Sequence, residues 1–257
     1  MNGKNAVSKQ DCELNFEELT RHFSEHGKGV VKKNYKQLVE IKNKLVKDYS
    51  GILVGIALLP VYENEDKPHL LIVGAGQCKQ EISDLIGTNF RARVWEAPEF
   101  WNCCENPEDD LLQKIALSGI VFDKGILGAA KICQVHKNMV VKKFEKYIVA
   151  YVLVGSIPRG LAISTSDIDV WVIVDDTDVK NMSLNELNDK LKGVIHSMAY
   201  EAGEMTGIKN KLSCQVHILS NVWDGLKEAE PVLFTFLRDG VAFYDRGVFR
   251  PAKNLLR

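Results

Sequence analysis

Apolar and polar positions along the chain alternate between two rhythms, and the rhythms recur. The most hydrophobic run, Ile52 to Val61, is too short to span a bilayer and is broken by Pro60, so it predicts a buried strand. Leu70 to Val73 and Val170 to Val174 predict further strands rich in β-branched residues. Leu184, Leu187, Leu191, Val194, Ile195 and Met198 recur at helical spacing and make one apolar stripe, with N-cap candidates between Asp176 and Ser183. In Leu212 to Ile218 the residues Leu212, Cys214, Val216 and Ile218 alternate as a core face, which puts Ser213, Gln215 and His217 together on the other face.

These elements form an internal repeat. Leu53-Val54-Gly55 returns as Leu153-Val154-Gly155, and Leu70-Leu71-Ile72-Val73 is matched by Val170-Trp171-Val172-Ile173, both at an offset of 100. Arg93-Val94-Trp95 with Trp101 is matched by Gln215-Val216-His217 with Trp223, now at 122. Each half closes alike, in Ser118 to Gly125 and in Asp239 to Gly247. The change of offset is an insertion of about 22 residues, placed at the long helix of the second half. The expected fold class is α+β: two tandem units, each a short mixed sheet flanked by helices, with lead-in helices near 30–49 and 129–149. The expected division is a polar N-terminal arm over 1–29, a first unit over 30–128 and a second over 129–257.

Composition narrows the functional classes. The 257 residues carry a net charge of −1, so no global basic field points to non-specific nucleic-acid binding. The Lys-rich stretches at 28–47 and 137–146 read as solvated helix faces. Met1 to Glu18 has no apolar core of leader length, which predicts a cytoplasmic protein without a membrane segment. The six cysteines form no CxxC pair and read as reduced thiols rather than zinc ligands.

The candidate chemistry lies in the second unit. Gly155-Ser156 follows a buried strand, Pro158 and Gly160 shape the turn, and Ser166-Asp167-Ile168-Asp169 leads into Val170 to Val174. Gly155 permits close backbone approach to a phosphate, and Ser156 adds a hydroxyl and an N–H. Asp167 and Asp169 stand two apart on an extended segment, so their carboxylates share a face and can hold hard cations. GS, a ten-residue gap, DxD and a β-branched strand resemble the signature of the nucleotidyltransferase superfamily that includes DNA polymerase beta, and in particular its minimal prokaryotic and archaeal members. The segment Phe236-Leu237-Arg238-Asp239-Gly240 to Tyr244-Asp245 resembles the closing strand of such domains.

The resemblance covers about 137–257. It implies a polymerase-beta-like fold and ATP or another nucleoside triphosphate as substrate. Two Mg²⁺ ions would sit on Asp167 and Asp169. Gly155, Ser156 and Ser166 would contact the nucleotide, and Arg159 would either reach a phosphate or lie on the surface. The reaction implied is transfer of a nucleoside monophosphate to a hydroxyl by a two-metal mechanism. The acceptor classes are small molecules, proteins and RNA ends, and the modes of association are a helical protein partner and a homodimer. Catalytic relatives carry a third acidic residue on a neighbouring strand; here Gln215 or His217 stands there. Either His217 acts as base, Glu201 or Glu204 supplies a carboxylate, or the site binds Mg-NTP without efficient transfer.

In the first unit, at an offset of 100, Lys67, His69 and Ile56 replace Asp167, Asp169 and Ser156, which makes that unit a degenerate, non-catalytic copy. Gly74-Ala75-Gly76 lacks the third glycine and the following βαβ unit of a dinucleotide loop. Trp101 and Trp223, at matching positions, predict a shared packing role. Trp171 lies on the face of Asp169, to pack in the core or to stack on a base.

Overall fold

The computed structural model describes residues 14–74, 76–106, 110–177 and 184–256, of 184–190 the backbone only. Two four-stranded mixed sheets, each with its helices, follow one another along the chain. The first unit runs α1 (Phe16–Leu19), α2 (Glu25–Asp48), β1 (Gly55–Leu59), β2 (His69–Val73), α3 (Lys79–Ile86), β3 (Arg91–Trp95), α4 (Ala97–Glu105), α5 (Leu111–Leu117) and β4 (Gly119–Asp123). Next comes α6 (Ile126–Phe144). The second unit continues with β5 (Ile148–Val154), β6 (Ile168–Val174), α7 (Leu184–Thr206), β7 (Leu212–Ile218), α8 (Leu219–Lys227), α9 (Pro231–Asp239), β8 (Val241–Asp245) and α10 (Phe249–Asn254). Strand orders are β3-β2-β1-β4 and β7-β6-β5-β8, with β2–β3 and β6–β7 parallel and the other pairs antiparallel.

Strand register establishes the duplication residue by residue. His69 pairs with Arg91 as Asp169 pairs with Ser213, which upholds the offsets of 100 for the second strand and 122 for the third. From there to the end the offset of 122 needs no gap: α4 begins at Ala97 and α8 at Leu219, and α5 and α9 end at Leu117 and Asp239. Even an irregularity is shared. The ladder of β1 with β4 slips between Ile56 and Ala57, and that of β5 with β8 slips between Tyr151 and Val152. The insertion falls between the parallel strands, where α3 has 8 residues and α7 has 23.

The first strands correct the sequence reading. Leu59 faces His69 as Val154 faces Asp169, so β1 and β5 align at 95, not 100, and the hairpin loop after β1 is five residues shorter. Pro60 and Val61, rather than Gly55 and Ile56, stand where the second unit has Gly155 and Ser156. The shared Leu-Val-Gly is therefore not a structural match. His69 does occupy the place of Asp169, beside Glu65 at 3.4 Å.

Helix boundaries also move. Ser24 caps α2 by accepting from the Gly27 N–H, so the helix starts inside the expected arm and runs through 29/30. Residues 1–13 lie outside the described part. α6 runs through 128/129 and ends at Phe144, and β5 starts at Ile148, inside the expected lead-in helix. Phe236 to Asp239 end a helix, not the closing strand. Of the proposed N-caps for α7, Asp176 instead accepts from the N–H and hydroxyl of Ser220, and 178–183 lie outside the described residues. A βαβ crossover does follow Gly74, contrary to expectation: β2, α3 and β3 form it. Gly76 nonetheless offers no phosphate cradle, because the Glu96 side chain lies 2.6 Å from where its Cβ would be.

The packing decides how the two units relate. One cluster of buried side chains draws Ala57, Leu71 and Val73 of the first sheet together with Phe100, Trp101 and Ile115. The same cluster contains Ile132 and Cys133 of α6 and Tyr151, Val170, Val172 and Val216 of the second sheet. Each such aliphatic side chain stabilises the fold by about 1.5–3 kcal/mol. The α4–α5 face is thus covered by the second unit, whereas among the described residues the equivalent α8–α9 face is not covered in this way. Trp101 is 6% exposed and Trp223 43%, so the two tryptophans do not share a packing role.

Candidate active site

β6 places alternate side chains on opposite faces. Ile168, Val170, Val172 and Val174 enter the shared core, while Trp171 and Ile173 join a separate cluster with Val152, Leu233 and Phe236. By the same alternation Asp169, and Asp167 just before the strand, belong to the second face. Gly155 sits directly against Asp169. Its φ is +82°, and a Cβ there would lie 2.6 Å from Asp169 Oδ2. Only glycine meets both demands without strain.

The turn after β5 is tightly folded. Leu161 N–H donates to Ser156 O at 3.0 Å and Gly160 N–H to Ile157 O at 3.0 Å, while Ile157 is buried in the core. Arg159 Nε donates to Gly155 O at 2.8 Å, which folds the guanidinium back over the turn. Ser166 Oγ accepts from Ile163 N–H at 2.9 Å, and Asn210 Nδ2 donates to Ser164 O at 2.8 Å and Ser166 O at 2.9 Å. Ser166 thus shapes the approach to Asp167 and is itself clamped from the segment before β7.

Burial raises the pKa of Asp169, and the charge of Asp167 raises it further; the Ser213 hydroxyl and Lys211 act the other way. Two carboxylates on one face repel each other when both are ionised. Hard oxygen donors of this number suit Mg²⁺, which takes one or two protein carboxylates and completes its shell with water and phosphate oxygens. Among the described residues no group of three or more His, Cys, Asp or Glu is placed to hold a metal without such help.

A cleft of about 320 Å³ opens beside Asp169, lined by Val154, Gly155, Arg159, Trp171 and Gln215 and closed from the far side by α9. The structure brings Gly155, Arg159, Asp169 and Gln215 together there. It does not bring in His217. That ring packs tilted against Trp171 at 3.9 Å between centroids, its pKa lowered by burial, opposite Ile173 and four residues along β7 from Ser213, the residue paired with Asp169. Trp171 is also stacked by Phe236 at 4.6 Å, so flanking rings take up the indole faces that a base would need. Glu201 and Glu204 are exposed on α7, and Glu204 lines a different cleft.

Three site residues escaped the sequence reading. Ser213, not Gln215, is the in-register neighbour of Asp169, and its hydroxyl favours the ionised form of that carboxylate. Thr235 and Asp239 reach the cleft from α9. Asp239 is paired with Arg238 at 2.6 Å, which lowers its pKa and keeps it ionised. Parity along β7 gave the face of Ser213, but nothing local marks a residue of α9 as a cleft wall.

Known proteins bear on the same segment. Residues 134–218 match the family model of the nucleotidyltransferase domain. No curated protein matches the chain. Among solved structures, a crystal structure from Sulfolobus solfataricus, provisionally assigned as a nucleotidyltransferase, is similar at 15% identity over 49% of this chain and 90% of that one, with a TM-score of 0.30. That superposition is loose, and the assignment rests on the matched segment. The likeness to the nucleotidyltransferase superfamily is carried by the stretch from Gln134 to Ile218, which holds Gly155, Ser156, Asp167 and Asp169.

Proposed function

We propose that the second unit moves a nucleoside monophosphate group from a nucleoside triphosphate to a hydroxyl acceptor, using Mg²⁺ held by Asp167 and Asp169. The observation that carries this reading is the Asp169 carboxylate, wedged between Gly155 and Ser213 at the wall of an open cleft, with Asp167 two residues before it. The metal would neutralise phosphate charge and activate the acceptor hydroxyl. The backbone around Gly155 and Ser156 would receive phosphate oxygens, and Arg159 would leave the Gly155 carbonyl to pair with them bidentately. Gln215 and Asp239 face the cleft and would orient the acceptor, while His217 holds Trp171 in place. Small molecules, protein hydroxyls and RNA ends remain the acceptor classes.

One observation favours a second reading. The strand neighbour of Asp169 is Ser213, not a carboxylate. On that reading the unit binds Mg-NTP as a regulatory module and does not turn it over.

Calorimetric titration with each nucleoside triphosphate, with and without Mg²⁺, tests both readings at the binding step. Wild type should bind in a Mg²⁺-dependent way, and the double variant Asp167→Asn, Asp169→Asn should not. Equal binding by a folded double variant would refute the site. Pyrophosphate release in the presence of an acceptor then separates the enzyme from the binding module.

A further inference from the structure

The duplication exposes a vacancy in the first unit. The Glu105 carboxylate at the end of α4, in the first unit, reaches the free edge of β8 in the second. Its Oε1 accepts from the Ala242 N–H at 3.1 Å and from Lys253 Nζ at 3.1 Å, and Lys253 also donates to Gly240 O at 2.6 Å. At the offset of 122 the first unit repeats the hydrogen-bond donors of this arrangement. Lys131 stands for Lys253, Ser118 for Gly240 and Ile120 for Ala242. Lys131 is 6% exposed and donates to the Ser118 carbonyl, as Lys253 does to Gly240. Ile120 pairs with Ala57 as Ala242 pairs with Val152, so its N–H points away from β1.

The accepting carboxylate has no counterpart among the described residues. Among the described residues no carboxylate comes within 4.0 Å of Lys131 Nζ. Where α4 delivers Glu105, the four-residue α1 covers only the start of the strand, with Leu19 O against Gly119. What remains is a cleft of about 500 Å³ with Ile120 and Lys131 among its walls.

We propose that this cleft is a binding site for a carboxylate-bearing small molecule, whose carboxylate takes the Ile120 N–H and the Lys131 ammonium as Glu105 takes their counterparts. A single charge is favoured over a dianionic phosphate. Lys131 and Lys209 line the cleft together with Glu18 and Asp123, so the opposed charges leave no strong positive field. The far wall is formed by Ser164 and by Asn210, the clamp on the loop that enters Asp167. A ligand seated here bears on that clamp. The site does not rest on nucleotide transfer.

The test uses the full chain labelled with ¹⁵N. N-acetyl-L-isoglutamine presents a free γ-carboxylate as Glu105 does, N-acetyl-L-glutaminamide is its neutral counterpart, and inorganic phosphate is the competing anion. The carboxylate should shift the Ile120 amide saturably, while the neutral compound should not and phosphate should do so more weakly. The Ala242 amide, already occupied by Glu105, should stay in place. Lys131→Met should weaken the carboxylate about tenfold or more, the loss of one charge-assisted hydrogen bond. Absence of a saturable Ile120 shift, an equal response to the neutral compound, tighter binding of phosphate, or unchanged affinity in Lys131→Met would overturn the proposal. Should Lys131→Met not fold, the three-ligand comparison on wild type decides alone.

Discussion

Gly155→Ala strikes two constraints at once, and they can be measured apart. The backbone there has φ +82°, and an added methyl would lie 2.6 Å from Asp169 Oδ2. Holding alanine in the left-handed region costs about 1–2 kcal/mol. Relieving the contact by pushing the Asp169 side chain off its rotamer costs about 0.5–1.5 kcal/mol more. The sum is about 1.5–3.5 kcal/mol, which for a chain of this size lowers Tm by about 3–14 °C. Urea denaturation measures the loss. In an Asp169→Ala background the 2.6 Å carboxylate contact disappears and only the Cβ contact at 3.3 Å and the backbone strain remain, so the cost of Gly155→Ala should fall by about 0.5–1.5 kcal/mol. An equal cost in both backgrounds would mean that the carboxylate does not rest on this α-carbon, and the geometry of the candidate site would fail with it.

Two further outcomes concern stability. His136 is fully buried, its Nε2–H donating to Ile195 O at 3.0 Å and its Nδ1 facing Tyr151 OH at 2.8 Å; burial lowers its pKa to about 4. Between that value and the ordinary 6.5 the unfolded chain holds a proton that the folded chain does not. Stability should therefore fall as pH drops from about 6.5 to about 4, by about 3 kcal/mol, and His136→Gln should flatten this part of the pH–stability curve; an unchanged slope would contradict the burial of a neutral ring. Glu105→Ala strands Lys253, whose side chain is 11% exposed, and frees the Ala242 N–H. Discounted for that exposure, the cost should be about 2–3 kcal/mol, partly recovered by Lys253→Met in the same chain, with chemical denaturation as the readout and no recovery as the contrary result.

Strand parity and gapless repetition made much of the fold legible. The offsets of 100 and 122 locate His69 opposite Asp169 and place the long insertion at α7, because nothing is inserted within those strands. The first strands misled because Leu-Val-Gly occurs twice by coincidence, while hairpin loops of different length shift the true register by five residues. Asp167, Asp169 and Gly155 were readable because their chemistry is local to one hairpin. Thr235 and Asp239 were not, since α9 reaches the cleft only through its packing against β5 and β6. His217 has the right parity but sits too far along β7, behind an indole whose two neighbours, His217 and Phe236, come from different elements. The likeness of Lys131 to Lys253 was present in the offset all along, but two lysines without a surrounding motif carry no signal until their partners are seen.

α6 belongs to both units at once. Its first turn is held by Asp123, which accepts from the N–H groups of Leu127 and Gly128, as Asp245 accepts at the start of α10 from Phe249 and Arg250. Beyond that turn the helix leads into β5, as α2 leads into β1. The end of one copy was thereby fused with the beginning of the next. Such a fusion works as a ratchet. Once one helix serves two masters, the first copy can no longer be deleted without unseating β5, whatever residues stand at its counterpart of the Asp169 position.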